Sequence, residues 1–123
     1  MSKFFKFVVA SLIAIFAVSS LAACSTSEPI EMSTVAAVID VRTPEEVSAG
    51  YLEGSLNFDF QGPNFASEIA TLDKSKDYVI YCRSGNRAGG AIDFMKANGF
   101  TGKLTNAGSL DEAAKTTGLG MVQ

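Results

Sequence analysis

The stretch Tyr78-Val79-Ile80-Tyr81-Cys82-Arg83-Ser84-Gly85-Asn86-Arg87 constrains the fold of this chain more than any other. A β-prone apolar run ends on a cysteine, a short polar loop with a central glycine follows, and Arg87 to Asn98 then reads as helix. That order delivers a thiol to the C-terminal end of a buried strand, beneath backbone N–H groups and a helix N-terminus. Arg83 and Arg87 add positive potential. Such surroundings favour thiolate over thiol and attract anions. The competing reading is an inert buried cysteine serving as a small hydrophobe. The glycine and arginines directly after Cys82 argue against it.

With 123 residues there is room for one domain. The first 23 residues stand apart from it. Lys3 and Lys6 make a basic start, Phe7 to Ala23 carries no charge, and small residues precede Cys24. This is the pattern of a secretory signal peptide; the uncharged run is slightly short for a comfortable bilayer span, and an uncleaved membrane anchor is the alternative. Leu21-Ala22-Ala23-Cys24 also resembles the lipobox of bacterial lipoproteins, which implies that Cys24 becomes a lipidated N-terminal residue. The expected organisation is a signal peptide over 1–23, a lipidated tether over 24–33 and a domain over 34–120. The expected location is outside the cytoplasm, lipid-anchored to a bacterial membrane, on its periplasmic side or at the cell surface.

Lipid on Cys24 leaves Cys82 as the only free thiol of the chain, which contains two cysteines. Without Lys3 and Lys6, eight basic residues face 13 acidic ones, a net charge near −5. An acidic domain without a basic stripe is a poor partner for nucleic acid. There is no histidine. That excludes Cys-His or Ser-His catalysis and histidine-based metal sites. Any thiolate must rest on N–H groups and arginine.

Along the domain, Val35 to Ile39 reads as a strand buried on both faces. Thr43-Pro44-Glu45-Glu46 opens a brief helix with a capping box, and Gly50 stops it. Ser55 to Phe60 alternates as a short strand, Phe65 to Leu72 is an amphipathic helix, and Tyr78 to Tyr81 is the next buried strand. Arg87 to Asn98 presents Ala88, Ala91, Ile92 and Met95 on one face, with Gly99 as its stop. Gly102 to Asn106 is a last strand, and Ser109-Leu110-Asp111-Glu112 is a second capping box. Alternating strands and helices predict an α/β fold: an open parallel sheet flanked by helices on both faces, with ligands at the carboxyl ends of the strands.

Ile39-Asp40-Val41-Arg42, Glu45-Glu46, Gly50-Tyr51-Leu52-Glu53-Gly54-Ser55-Leu56-Asn57 and Cys82-Arg83-Ser84-Gly85-Asn86-Arg87-Ala88 together resemble the single-domain rhodanese family, collinearly over about residues 33–118. The resemblance implies a rhodanese-like α/β fold and a sulfurtransferase that carries sulfane sulfur on a cysteine persulfide. It implies Cys82 as nucleophile and Arg83, Ser84, Gly85, Asn86 and Arg87 as the substrate-binding cradle. Asp40 and Arg42 match the first-strand motif and are read as structural support of the site. The implied partners are a small sulfur-containing anion such as thiosulfate and a cyanide or thiol acceptor. No metal or organic cofactor is implied.

Three positions depart from the family pattern. Tyr51 stands where histidine is common, Glu53 where proline is usual, and Asn106-Ala107-Gly108-Ser109 replaces a glycine pair and tryptophan. Two other activities compete. Phosphatases and arsenate reductases of related fold use Cys-x5-Arg, one residue longer than the Cys-x4-Arg found here. A non-catalytic persulfide carrier or redox-sensing lipoprotein module is the other alternative.

Overall fold

A computed structural model describes residues 28–123. The expected signal peptide and Cys24 lie outside the described residues. The described residues form six strands: β1 (Val35–Asp40), β2 (Tyr51–Leu52), β3 (Leu56–Asn57), β4 (Asp77–Tyr81), β5 (Leu104–Asn106) and β6 (Met121–Val122). Four α-helices join them: α1 (Pro44–Ser48), α2 (Phe65–Ile69), α3 (Asn86–Ala97) and α4 (Leu110–Thr117). A 3₁₀ turn, Met32–Thr34, leads into β1.

The main sheet runs β3-β1-β4-β5, every pair parallel. The two-residue period of β4 sorts its side chains between two cores. Tyr78, Ile80 and Cys82 face one cluster with Ile39, Phe65, Ile69 and the α3 residues Ala88, Ala91, Ile92 and Met95. Val79 and Tyr81 face the other, with Val38, Leu52 and Ala113 of α4. Helices therefore cover both faces, as the α/β reading requires.

Five local readings change. The helix expected over Phe65–Leu72 ends at Ile69, with Ala70 as its C-cap. In β1 only the C-terminal half is fully buried, because a register shift between Val35 and Ala37 leaves Ala36 exposed at the edge of the pairing. The Ser55–Phe60 strand shrinks to Leu56–Asn57, and Asn57 Nδ2 donates to the carbonyls of Asp40 and Arg42. The last strand begins at Leu104 rather than Gly102. Gly102 is packed so closely against the Lys76 carbonyl that a side chain there has no room. Ser109 caps α4 by accepting the Glu112 N–H, but only the Thr43/Glu46 capping box is closed by both partners.

Two features have no local signal in the sequence. β2 and β6 form a short antiparallel pair that ties the C-terminus to the segment after α1. Ile30 and Met32, within the stretch read as tether, pack against the second core, and the Ile30 N–H donates to the Thr116 carbonyl. Among the described residues, no helix is long and apolar enough to cross a membrane.

Candidate active site

β1 and β4 lie side by side with Asp40 opposite Tyr81, so both strands end at the same edge of the sheet. Cys82 follows directly, and its N–H donates to the Gly108 carbonyl at 3.0 Å. Its side chain points toward α3 and has no exposed surface. Burial of this cysteine is therefore complete, against the sequence argument from its polar neighbours. The polar neighbours instead act on the sulfur from the loop side.

Gly85 makes that possible. It adopts a left-handed conformation (φ 93°, ψ −15°) and turns the chain into α3. Its N–H donates to Cys82 Sγ at 2.9 Å. No side chain caps α3, so the N–H groups of its first turn lack the usual partner. The sulfur takes that place. Burial pushes the Cys82 thiol up, but the N–H groups of Ala88, Ser84, Gly85 and Arg87 converge on it and bring it below its ordinary value.

The remaining loop residues divide by exposure. Arg83, Ser84 and Asn86 are exposed, and Gly85 and Arg87 are half-buried. Arg83 has no ion-pair partner among the described residues. Arg87 is held by Glu46 in a fork, Nη1 to Oε2 at 2.7 Å and Nη2 to Oε1 at 2.9 Å. Glu46 also accepts the Thr43 N–H at 2.9 Å, so one carboxylate closes the α1 cap and anchors the loop arginine. The Arg87 guanidinium is the main cause that lowers Glu46 to about 2. The stabilisation linked to that shift is complete above the unfolded value near 4.5 and disappears as pH falls through about 2.

Beneath the loop, Asp40 and Arg42 form a buried pair. Arg42 Nε donates to both Asp40 oxygens at 2.9 and 3.1 Å, and Nη2 donates to Oδ2 and to the Gly50 carbonyl, each at 2.7 Å. The guanidinium lies 5.7 Å from the Tyr81 ring centroid. On the far side, Asn106 Nδ2 donates to the Gly85 carbonyl at 2.9 Å while its Oδ1 accepts the Gly108 N–H at 2.9 Å. A groove of about 320 Å³ opens beside the loop, lined by Arg83, Glu46, Ala49, Ser109, Leu110 and Asp111 among others. Among the described residues no cluster of three or more His, Cys, Asp or Glu could hold a metal ion.

Three contributors were not singled out from the sequence as site residues: Glu46 as the partner of Arg87, Asn106, and the Gly108 backbone. Glu46 was readable as a capping residue. Asn106 and Gly108 are legible only as part of the segment that departs from the family pattern, not as partners of the cysteine loop.

A family profile described as the rhodanese-like domain matches residues 25–115. The chain belongs to the rhodanese-like domain family. It is 30% identical over 76 residues to the thiosulfate sulfurtransferase PspE of Escherichia coli, spanning 62% of this chain and 72% of that protein. It is also 30% identical over 87 residues to thiosulfate sulfurtransferase 16, a chloroplastic protein of Arabidopsis thaliana, spanning 63% and 72%. Among solved structures, a rhodanese with anions from E. coli superposes with a TM-score of 0.56 at 28% identity, over 71% of this chain and 96% of that one.

A thiolate held mainly by N–H groups has a definite pH signature. Iodoacetamide alkylation of Cys82 is expected to fall only as pH drops through a folded pKa below the free-cysteine value of about 8.5. The same chain in denaturant should show its inflection near that ordinary value. Coincident inflections would contradict the cradle's effect.

Proposed function

We propose that the chain is a sulfurtransferase that moves sulfane sulfur through a persulfide on Cys82. The observation that carries this reading is a cysteine sulfur at the carboxyl edge of a parallel sheet that accepts the Gly85 N–H at 2.9 Å beneath the uncapped N-terminus of α3. With no histidine in the chain, Cys-His or Ser-His activation is excluded, whereas a thiolate stabilised by N–H groups needs no base.

The Cys82 thiolate attacks the outer sulfur of thiosulfate. A Cys–S bond forms, the S–S bond of the donor breaks, and sulfite leaves with the electron pair. Cyanide or a thiolate then attacks the outer sulfur of the persulfide, and the Cys82 thiolate departs. The N–H groups that stabilise the thiolate stabilise it equally as the leaving group of this second step. Arg83, exposed and without a carboxylate partner among the described residues, is suited to the donor's sulfonate oxygens.

The Arg87–Glu46 fork weighs against phosphate chemistry. Both terminal nitrogens of Arg87 are engaged by a carboxylate, so a bound phosphate would have to displace it. The purified domain is expected to release thiocyanate from thiosulfate and cyanide, and to leave an aryl phosphate intact. Phosphate release without thiocyanate would replace this reading with the phosphatase one.

We extend the proposal to location: export and lipid attachment at Cys24 would hold the domain outside the cytoplasm at a bacterial membrane. The basic start, uncharged run and Leu-Ala-Ala-Cys motif support this. A Cys24→Ser chain that stays membrane-bound would count against the lipid.

A further inference from the structure

The loop between β5 and α4 reaches the sulfur cradle through one side chain. Asn106 is the last residue of β5, and β5 lies beside β4 in the sheet. Its amide bridges two backbones, donating to the Gly85 carbonyl and accepting the Gly108 N–H, both at 2.9 Å. Gly85 is the residue whose own N–H donates to Cys82 Sγ, and Gly108 is the residue whose carbonyl receives the Cys82 N–H. The two glycines touch closely: a Cβ on Gly85 would lie 3.4 Å from Gly108 Cα. The carbonyl of Gly85 also accepts the first hydrogen bond of α3, from the Gly89 N–H at 2.9 Å.

We propose that Asn106 is a positioning residue for the nucleophile, clamping Gly85 so that the left-handed turn keeps its N–H on Cys82 Sγ. The proposal rests on the reading of Cys82 as the sulfur-carrying group. The physical reason is the freedom of the residue being held. A glycine has the largest choice of backbone conformations, and left-handed geometry is only one of them. With its carbonyl fixed from the side by Asn106 and from the helix by Gly89, rotation at Gly85 is restricted, and the N–H on its other side keeps its aim. A side chain that touches only backbone can therefore act on the thiolate without contacting it.

Asn106 carries no charge, so its effect is separable from the charged groups around the loop. Those are Arg83, Arg87 with its partner Glu46 and nearby Asp59, the buried Asp40–Arg42 pair, and Asp111 and Glu112 of α4. An Asn106→Leu chain keeps the branched side-chain skeleton and removes both hydrogen bonds. Asn106→Gln keeps an amide on an exposed position with space for one more methylene.

The test is the rate of Cys82 alkylation by iodoacetamide across pH, with urea unfolding run in parallel to report the fold. Asn106→Leu is expected to slow alkylation at neutral pH about three- to tenfold, the worth of one ordinary hydrogen bond, and to move the inflection to higher pH. Asn106→Gln should recover part of that loss. An Asn106→Leu chain that unfolds normally and alkylates with the parent profile would overturn the proposal while leaving Cys82's role standing. A parent chain whose Cys82 titrates like a free thiol would instead remove the reading on which the proposal rests.

Discussion

Cys82→Ser is expected to reduce thiocyanate formation by on the order of a thousandfold or more while leaving the fold intact. Serine matches cysteine in shape and can still accept from the Gly85 N–H, so the change in stability should stay within about 1 kcal/mol. The chemistry is what disappears. A hydroxyl is almost wholly protonated at neutral pH, and the cradle offers N–H donors but no base to take its proton. Nor could an alkoxide carry sulfane sulfur as a persulfide does. Steady-state thiocyanate assays, with circular dichroism to confirm the fold, measure both parts.

The second large effect is on stability. Arg42→Met is expected to cost about 3–5 kcal/mol, a large fraction of what a domain of this size has available. Asp40 has no exposed surface, and Arg42 is only 6% exposed. Methionine fills much of the volume of the arginine stem but removes three hydrogen bonds from Asp40 and one from the Gly50 carbonyl. The Arg42 N–H, at 3.0 Å from Oδ1, is what Asp40 would retain. A buried carboxylate left with one neutral donor is the costly state, rather than the loss of the pair itself. The Asp40→Asn, Arg42→Met double variant should therefore recover part of the loss. Arg83→Met, on the exposed loop, should fall within about 0.5 kcal/mol of the parent. Urea unfolding of the three chains measures these differences. A cost below about 1 kcal/mol for Arg42→Met would show that Asp40 finds another partner.

How much of this site could be read from the sequence depended on distance along the chain. Cys82, its loop and the helix after it are contiguous, so strand period, glycine and helix onset placed the sulfur beneath a helix N-terminus. The Thr43-x-x-Glu46 box and the Asp40-x-Arg42 pair are equally local, and the structure forms both. Glu46 and Arg87 lie 41 residues apart, and Asn106 and Gly85 21 apart. Those contacts follow from the parallel order β1-β4-β5, which sets the ends of three strands side by side.

Arg87 reads from the sequence as part of the substrate-binding cradle, whereas in the structure both its terminal nitrogens are engaged by Glu46. Its carboxylate partner was legible as a helix cap and nothing more, because capping residues are recognised by spacing while ion pairs are formed by proximity. β2 and β6, at two residues each, are too short to show a period. The replacement of the family's glycine pair by Asn106-Ala107-Gly108-Ser109 was visible as a departure. Its consequence at Gly85 became visible only with the fold.

Mass spectrometry of the intact chain after thiosulfate treatment reads the persulfide itself. A gain of one sulfur atom is expected, mapped to Cys82, with its loss as thiocyanate on adding cyanide. A chain that gains no sulfur, or a Cys82→Ser chain that still yields thiocyanate at the parent rate, would contradict sulfur transfer through Cys82.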